Sequence, residues 1–197
     1  FLLFSPWIIG GYHIWISALF SFILSGYLTV SAIKDNNKKK LSFSFTLLAL
    51  VIIPIAYLVC SLWAVDSGTA VYGFVKFLPV ALFAFAVSQC SADEKTELLD
   101  TVPVSAIAMG LISYGLSFIP QLADYFLVAT RLGGFFQYPN TFAVYCLAGF
   151  AILLLRKKVS YKEWITAAML VGIIFLTGSR ASFVFLIAVC VVLFFRL

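Results

Sequence analysis

Long apolar runs alternate with short polar breaks along the chain, and inside the runs polar residues do not recur with a period of two. Such runs predict α-helices, which satisfy their own backbone groups and so can enter lipid. In order, the pattern predicts spans at about 14–33, 42–63, 72–90, 98–119, 138–155, 164–178 and 181–195. Residues 1–10 read as the tail of a truncated span. The expected fold is all-α: a polytopic transmembrane helical bundle of about seven full spans plus the truncated one. It forms a single transmembrane domain. The apolar runs at both ends of the chain read as a fragment of a larger polytopic protein.

One stretch breaks the pattern in an informative way. Between Glu163 and Arg196 the only charge is Arg180. As one helix the 32 residues 164–195 would span about 48 Å, well beyond a hydrocarbon core of about 30 Å. The stretch therefore predicts a helical hairpin with Thr177-Gly178-Ser179-Arg180 at the bend, opening to the outer face. Gly178 permits the turn and Ser179 is a good N-cap for the helix that follows. Each leg is short for a span, so the bend is expected to lie slightly sunk, with Arg180 a costly cation and a functional-site candidate.

Composition agrees with the patterning. The chain is 63% hydrophobic and 11% charged, with a mean hydropathy of +1.11, far outside the soluble range. The net charge of +5 reflects loop asymmetry; without a basic patch interleaved with aromatics, no nucleic-acid partner is expected. No phosphate-cradling glycine loop and no clustered metal ligands are present, so neither a metal nor another cofactor is expected. Cys60, Cys90, Cys146 and Cys190 are widely spaced in apolar surroundings and read as packing residues. His13, the one histidine, reads as interfacial.

Ten of the 13 lysines and arginines fall in alternate loops: Lys34, Lys38, Lys39, Lys40, Lys95, Arg156, Lys157, Lys158, Lys162 and Arg196. Positively charged short loops face the cytoplasm, which leaves Lys76, Arg131 and Arg180 on the outer side. Each lies at or near the outer end of a helix expected to run inward: Lys76 within 72–90, Arg131 ahead of 138–155 and Arg180 ahead of 181–195. Helix N-termini favour anions, so the three cations form a candidate receptor for phosphate or pyrophosphate. The outer loop at 119–137 leads into Arg131-Leu132-Gly133-Gly134-Phe135-Phe136-Gln137-Tyr138-Pro139-Asn140. Pro139 suits a first helical turn, and Tyr138 before it is expected to be extended. Gly133 and Gly134 would let backbone approach a ligand, and the Asn140 amide is expected to be free to bond a sugar or phosphate.

Three segments carry a family resemblance: Ser61-Leu62-Trp63-Ala64-Val65-Asp66, the RLGGFFQYPNTFAVY stretch from Arg131 to Tyr145, and TGSRAS from Thr177 to Ser182. In their order and expected loop sides they resemble the O-antigen ligase and O-antigen polymerase superfamily, across roughly the whole chain from Leu41. The resemblance implies a GT-C-like glycosyltransferase in the bacterial cytoplasmic (inner) membrane. Such an enzyme moves glycan from an undecaprenyl-diphosphate carrier to an acceptor glycan, lipid or protein on the outer face, without metal or cofactor. It implies that Arg180 binds the donor diphosphate, with Arg131 as the second cation; the charge pattern adds Lys76 as a third. Ser179, Gly178, Asn140, Gln137 and Asp66 are its supporting residues. The family's outer loop with its functional histidine would follow the TGSR segment and is not in this chain, so the catalytic residue is not assigned. This stretch alone is expected to be inactive. Asp66 and Asp124 are the outer carboxylates that could serve as bases. A polytopic transporter or flippase for a lipid-linked or anionic solute is the alternative, although the chain has no internal repeat of the kind transporters carry.

Overall fold

The computed structural model describes residues 5–8, 13–34, 45–156 and 159–195. Among them are eight α-helices: α1 (Ile14–Lys34), α2 (Phe45–Cys60), α3 (Ser67–Ser88), α4 (Ala92–Leu116), α5 (Pro120–Phe126), α6 (Pro139–Leu154), α7 (Tyr161–Thr177) and α8 (Arg180–Phe194). The all-α expectation holds apart from one short hairpin, β1 (Leu127–Val128) with β2 (Arg131–Leu132), paired Leu127 to Leu132 and Val128 to Arg131. Lys38, Lys39, Lys40, Lys157, Lys158 and Arg196 lie outside the described residues.

Ile14–Ile33, Ser67–Ser88 and Ala92–Leu116 are long and apolar enough to cross a membrane. The 16-residue α2 and α6 and the 15-residue α8 are apolar but rise only about 22–24 Å. Large apolar side chains face outward, among them Trp15 at 82%, Phe22 at 79% and Phe45 at 86% exposed. With the three span-length helices they suggest a membrane protein, since a soluble surface rarely carries so large an apolar face.

The chain packs as two compact units, residues 11–95 and residues 96–197 with 2–10. In the first, α3 packs against both α1 and α2. The contact depends on small residues: Ala70, Gly73, Ala81 and Ala86 are buried on α3, and the Tyr57 ring lies where a Cβ on Gly73 would sit. Tyr57 then stacks on Phe77, with ring centroids 5.4 Å apart.

α3 begins at Ser67, five residues before the expected span. Asp66 caps it, accepting from the Thr69 backbone N–H at 3.1 Å and the Thr69 hydroxyl at 2.6 Å. Hydropathy registers where a helix becomes apolar, whereas the cap sets where it starts. The same holds for α4, opened six residues early by Ser91 and Glu94. The Glu94 side chain accepts from the Ser91 N–H at 2.7 Å, and the Ser91 hydroxyl accepts from the Glu94 N–H at 3.3 Å.

In the second unit α6 is central, packed on α7 and α8. Phe142, Ala143 and Cys146 are fully buried on it, with Met109 of α4 and Leu170 and Ile174 of α7 around them. Glycines bring the backbones close: a Cβ on Gly149 would lie 3.0 Å from the Pro103 Cα, and one on Gly110 would strike the Ile173 side chain. At one end of α7, Arg156 pairs with both Asp100 and Glu163, while Ser160 and Glu163 form a capping box.

Of residues 1–10, expected to be the tail of a truncated span, 1–4 and 9–10 lie outside the described residues, and 5–8 form no long helix. Ser5–Trp7 forms a 3-10 turn with Pro6 buried, and it packs with the second unit. The Trp7 indole N–H donates to the Ser105 hydroxyl at 3.0 Å, and its ring lies 5.0 Å from that of Phe135. An amphipathic indole with a hydrogen-bond partner docks as a side chain without needing a long helix behind it.

Candidate functional site

The TGSR segment is a helix end followed at once by a helix start. α7 stops at Thr177 because Gly178 turns left-handed, with φ 59° and ψ 27°, and returns its N–H to the Phe175 carbonyl. Ser179 then caps α8, its hydroxyl accepting from the Ser182 N–H at 3.4 Å and lying 3.0 Å from the Ser182 hydroxyl. The Thr177 hydroxyl donates to the Ile174 carbonyl at 2.7 Å and accepts from the Ser179 N–H at 3.3 Å. Thr177, Ser179 and Ser182 are all buried, so these hydroxyls serve the corner itself.

The break therefore lies where the sequence places it. The two legs do not zip together, however. α7 and α8 meet at the corner, where the Phe175 and Phe183 rings are 4.6 Å apart, and each packs on α6.

What crosses the corner is Arg131. Its Nε donates to the Thr177 carbonyl at 2.8 Å, one of the last carbonyls of α7, which have no partner inside the helix. Its Nη2 donates to the Asn140 side-chain oxygen at 2.9 Å. A cation at a helix C-terminus is favoured by both charge and hydrogen bonding. Gly178 gives it room: a Cβ there would lie 3.3 Å from the Arg131 Nε.

A tightly packed loop delivers Arg131. The β1–β2 turn holds Ala129 and Thr130 at φ 50° and 69°, the pairing that a two-residue hairpin needs but that L side chains seldom adopt. Leu132 next to Arg131 is buried in the core. The Gly133 N–H donates to the Phe126 carbonyl at 2.8 Å, and Phe135 lies against Phe126 and Trp7. Phe136 stacks on Phe142. Tyr138 is extended, at φ −141° and ψ 106°, and Pro139 opens α6, as expected.

Several expectations about individual residues change. Arg131 is half-buried and bonded, while Arg180, the first residue of α8, is exposed. Among the described residues Arg180 makes no hydrogen bond or ion pair. At the first position of a helix a side chain lies outside the packed turn, whereas Arg131 reaches an unpaired carbonyl.

The Asn140 oxygen is engaged by Arg131, so its amide is not wholly free. Gly133 and Gly134 serve the loop's own packing: Cβ atoms there would lie 3.2 Å from the Gln137 backbone and 3.0 Å from the Phe142 ring. Gln137 is exposed at φ 53° and closes the turn with an N–H to the Gly134 carbonyl at 3.1 Å.

Lys76 belongs to the first unit. Since α3 starts at Ser67, Lys76 is nine residues inside the helix and not at its N-terminus, with its ammonium 4.9 Å from the Tyr72 ring centroid. Asp66 already occupies the N-terminus of α3. The Thr69 hydroxyl, and then the Thr69 N–H, hold its carboxyl below the usual carboxylate range. A carboxylate stabilised in this way is a poorer general base.

Thr177 as a carbonyl acceptor, the Trp7–Ser105 contact and the Arg156 clamp were not anticipated. Of the partners involved, only the Ser160/Glu163 box had a local signal, a serine followed three residues later by glutamate. Comparison with models of known families, with curated proteins and with solved structures finds no match to this chain.

Proposed function

We propose that the protein is a membrane glycosyltransferase of the O-antigen ligase and polymerase type. It moves a glycan from undecaprenyl diphosphate to an acceptor at the outer face of the bacterial cytoplasmic membrane. On this reading seven helices, α1 to α4 and α6 to α8, cross the membrane, and the α7–α8 corner opens outward. One observation carries the proposal. Two of the three motif segments that prompted the resemblance meet through the Arg131 side chain, which bonds the Thr177 carbonyl 46 residues away.

The local chemistry supports an anion site there. A guanidinium has five N–H donors, and Arg131 uses two, leaving three. The N-terminus of α6 beside it has no side-chain cap, and Arg180 stands exposed at the start of α8. As a glycosyl bond to diphosphate breaks, charge builds on the leaving group, and positioned guanidiniums stabilise it. Arg131 supplies a bonded group and Arg180 an exposed one, with Lys76 a third candidate from the charge pattern alone.

Transfer from an undecaprenyl-diphosphate-linked glycan in membranes containing the full protein tests this. Arg131→Ala and Arg180→Ala should each lower transfer by about 100-fold with membrane insertion intact, as for loss of a transition-state hydrogen-bond donor. Arg180→Lys should recover little, since lysine keeps the charge but loses the fork. Normal transfer by both alanine variants would remove the donor-site role.

A further inference from the structure

We propose that Asn140 is a positioning residue for Arg131. Together with the Thr177 carbonyl it pins the side edge of the guanidinium so that the end edge is presented as a two-pronged anion fork. This rests on the reading of Arg131 as a phosphate-binding cation. In arginine, the Nε–H and one Nη2–H share the side edge of the planar group, and the remaining Nη2–H is parallel to an Nη1–H on the end edge. The two bonds fall on the two nitrogens of the side edge: Nε to Thr177 at 2.8 Å and Nη2 to Asn140 at 2.9 Å. Two bonds on one edge fix both the direction and the plane of the group. The end edge is left with the geometry that suits two phosphate oxygens.

The two acceptors come from different helices, and both are themselves fixed. The Thr177 carbonyl ends α7 under the Gly178 turn, and Asn140 is the second residue of α6, behind Pro139. The loop strand β2 brings in the guanidinium, so three elements set its bearing. The residue type also matters. Aspartate at 140 would hold the guanidinium at least as firmly but would cancel its charge, whereas the neutral asparagine amide orients it and leaves the charge for a ligand. A steric or capping role would not discriminate between the two.

The test is the reaction of Arg131 with phenylglyoxal, in the full protein in membranes, with and without inorganic pyrophosphate, read by peptide mass spectrometry. Asn140→Ala should speed Arg131 modification several-fold. It should raise the pyrophosphate concentration for half-protection about tenfold, the loss of one charge-assisted hydrogen bond. Asn140→Asp should leave modification slow yet raise the half-protection concentration at least as much. Modification of Arg180 should not change in either variant. Wild-type protection in Asn140→Asp, or an unchanged modification rate in Asn140→Ala, would overturn the proposal. If pyrophosphate fails to protect wild-type Arg131, the diphosphate reading fails. The modification rates then still decide the positioning role, since faster reaction in Asn140→Ala sustains it and an unchanged rate removes it.

Discussion

Gly178→Ala perturbs the corner in two separable ways. The first is backbone strain. Gly178 sits at φ 59°, and a residue with a Cβ pays about 1–2 kcal/mol in that region, less about 0.5–1 kcal/mol recovered from the smaller entropy of the unfolded chain. The second is the contact with Arg131, where the new Cβ would be 3.3 Å from Nε, the atom bonded to the Thr177 carbonyl. Moving the guanidinium aside would weaken a charge-assisted bond worth about 1.5 kcal/mol or more. Together the substitution should cost about 1.5–3 kcal/mol, of which about half or more depends on Arg131.

A double-mutant cycle separates the two parts. Unfolding by SDS in mixed micelles is followed for wild type, Gly178→Ala, Arg131→Ala and the double variant. With Arg131 absent, Gly178→Ala should cost only its strain, giving a coupling of about 1 kcal/mol or more. Additive effects, within about 0.5 kcal/mol, would show that the arginine does not lie across the corner in solution.

Gly110→Ala should destabilise the second unit by about 1–3 kcal/mol, since its Cβ meets the Ile173 side chain, and Ile173→Val should recover part of this in the same unfolding assay. For Asp66 the folded carboxyl is held below its ordinary value, so its capping contribution is complete above the unfolded pKa and is lost only as pH falls through the lower folded one. Hydrogen exchange at the Thr69 amide should therefore stay protected as pH drops through the usual carboxylate range and lose protection below it. Asp66→Asn should remove this pH dependence, and a protection profile that falls at the ordinary carboxylate value would refute the capping account.

The sequence by itself determined what depends on near neighbours. Apolar runs give seven helices near their expected places, because transfer of a side chain out of water is a property of that side chain. Gly178 ends α7, Ser179 starts α8, and Pro139 starts α6 for the same kind of reason: caps and turns act over about three or four residues. The polar starts of α3 and α4 escaped a reading by hydropathy, although Asp66 with Thr69 and Ser91 with Glu94 carry the local signal.

Tertiary structure decided which charged group goes where. Both Arg131 and Arg180 precede helices in the sequence, and nothing local marks one to be bonded and the other exposed. The choice follows from packing: burying Leu132 and docking Phe135 and Phe136 bring Arg131 beside a helix-end carbonyl 46 residues away. The same packing explains why Gly133 and Gly134 face the protein's own side chains and why Trp7 finds Ser105. An unpaired carbonyl at a helix end has many possible donors in the chain, and only the assembled core determines which of them reaches it.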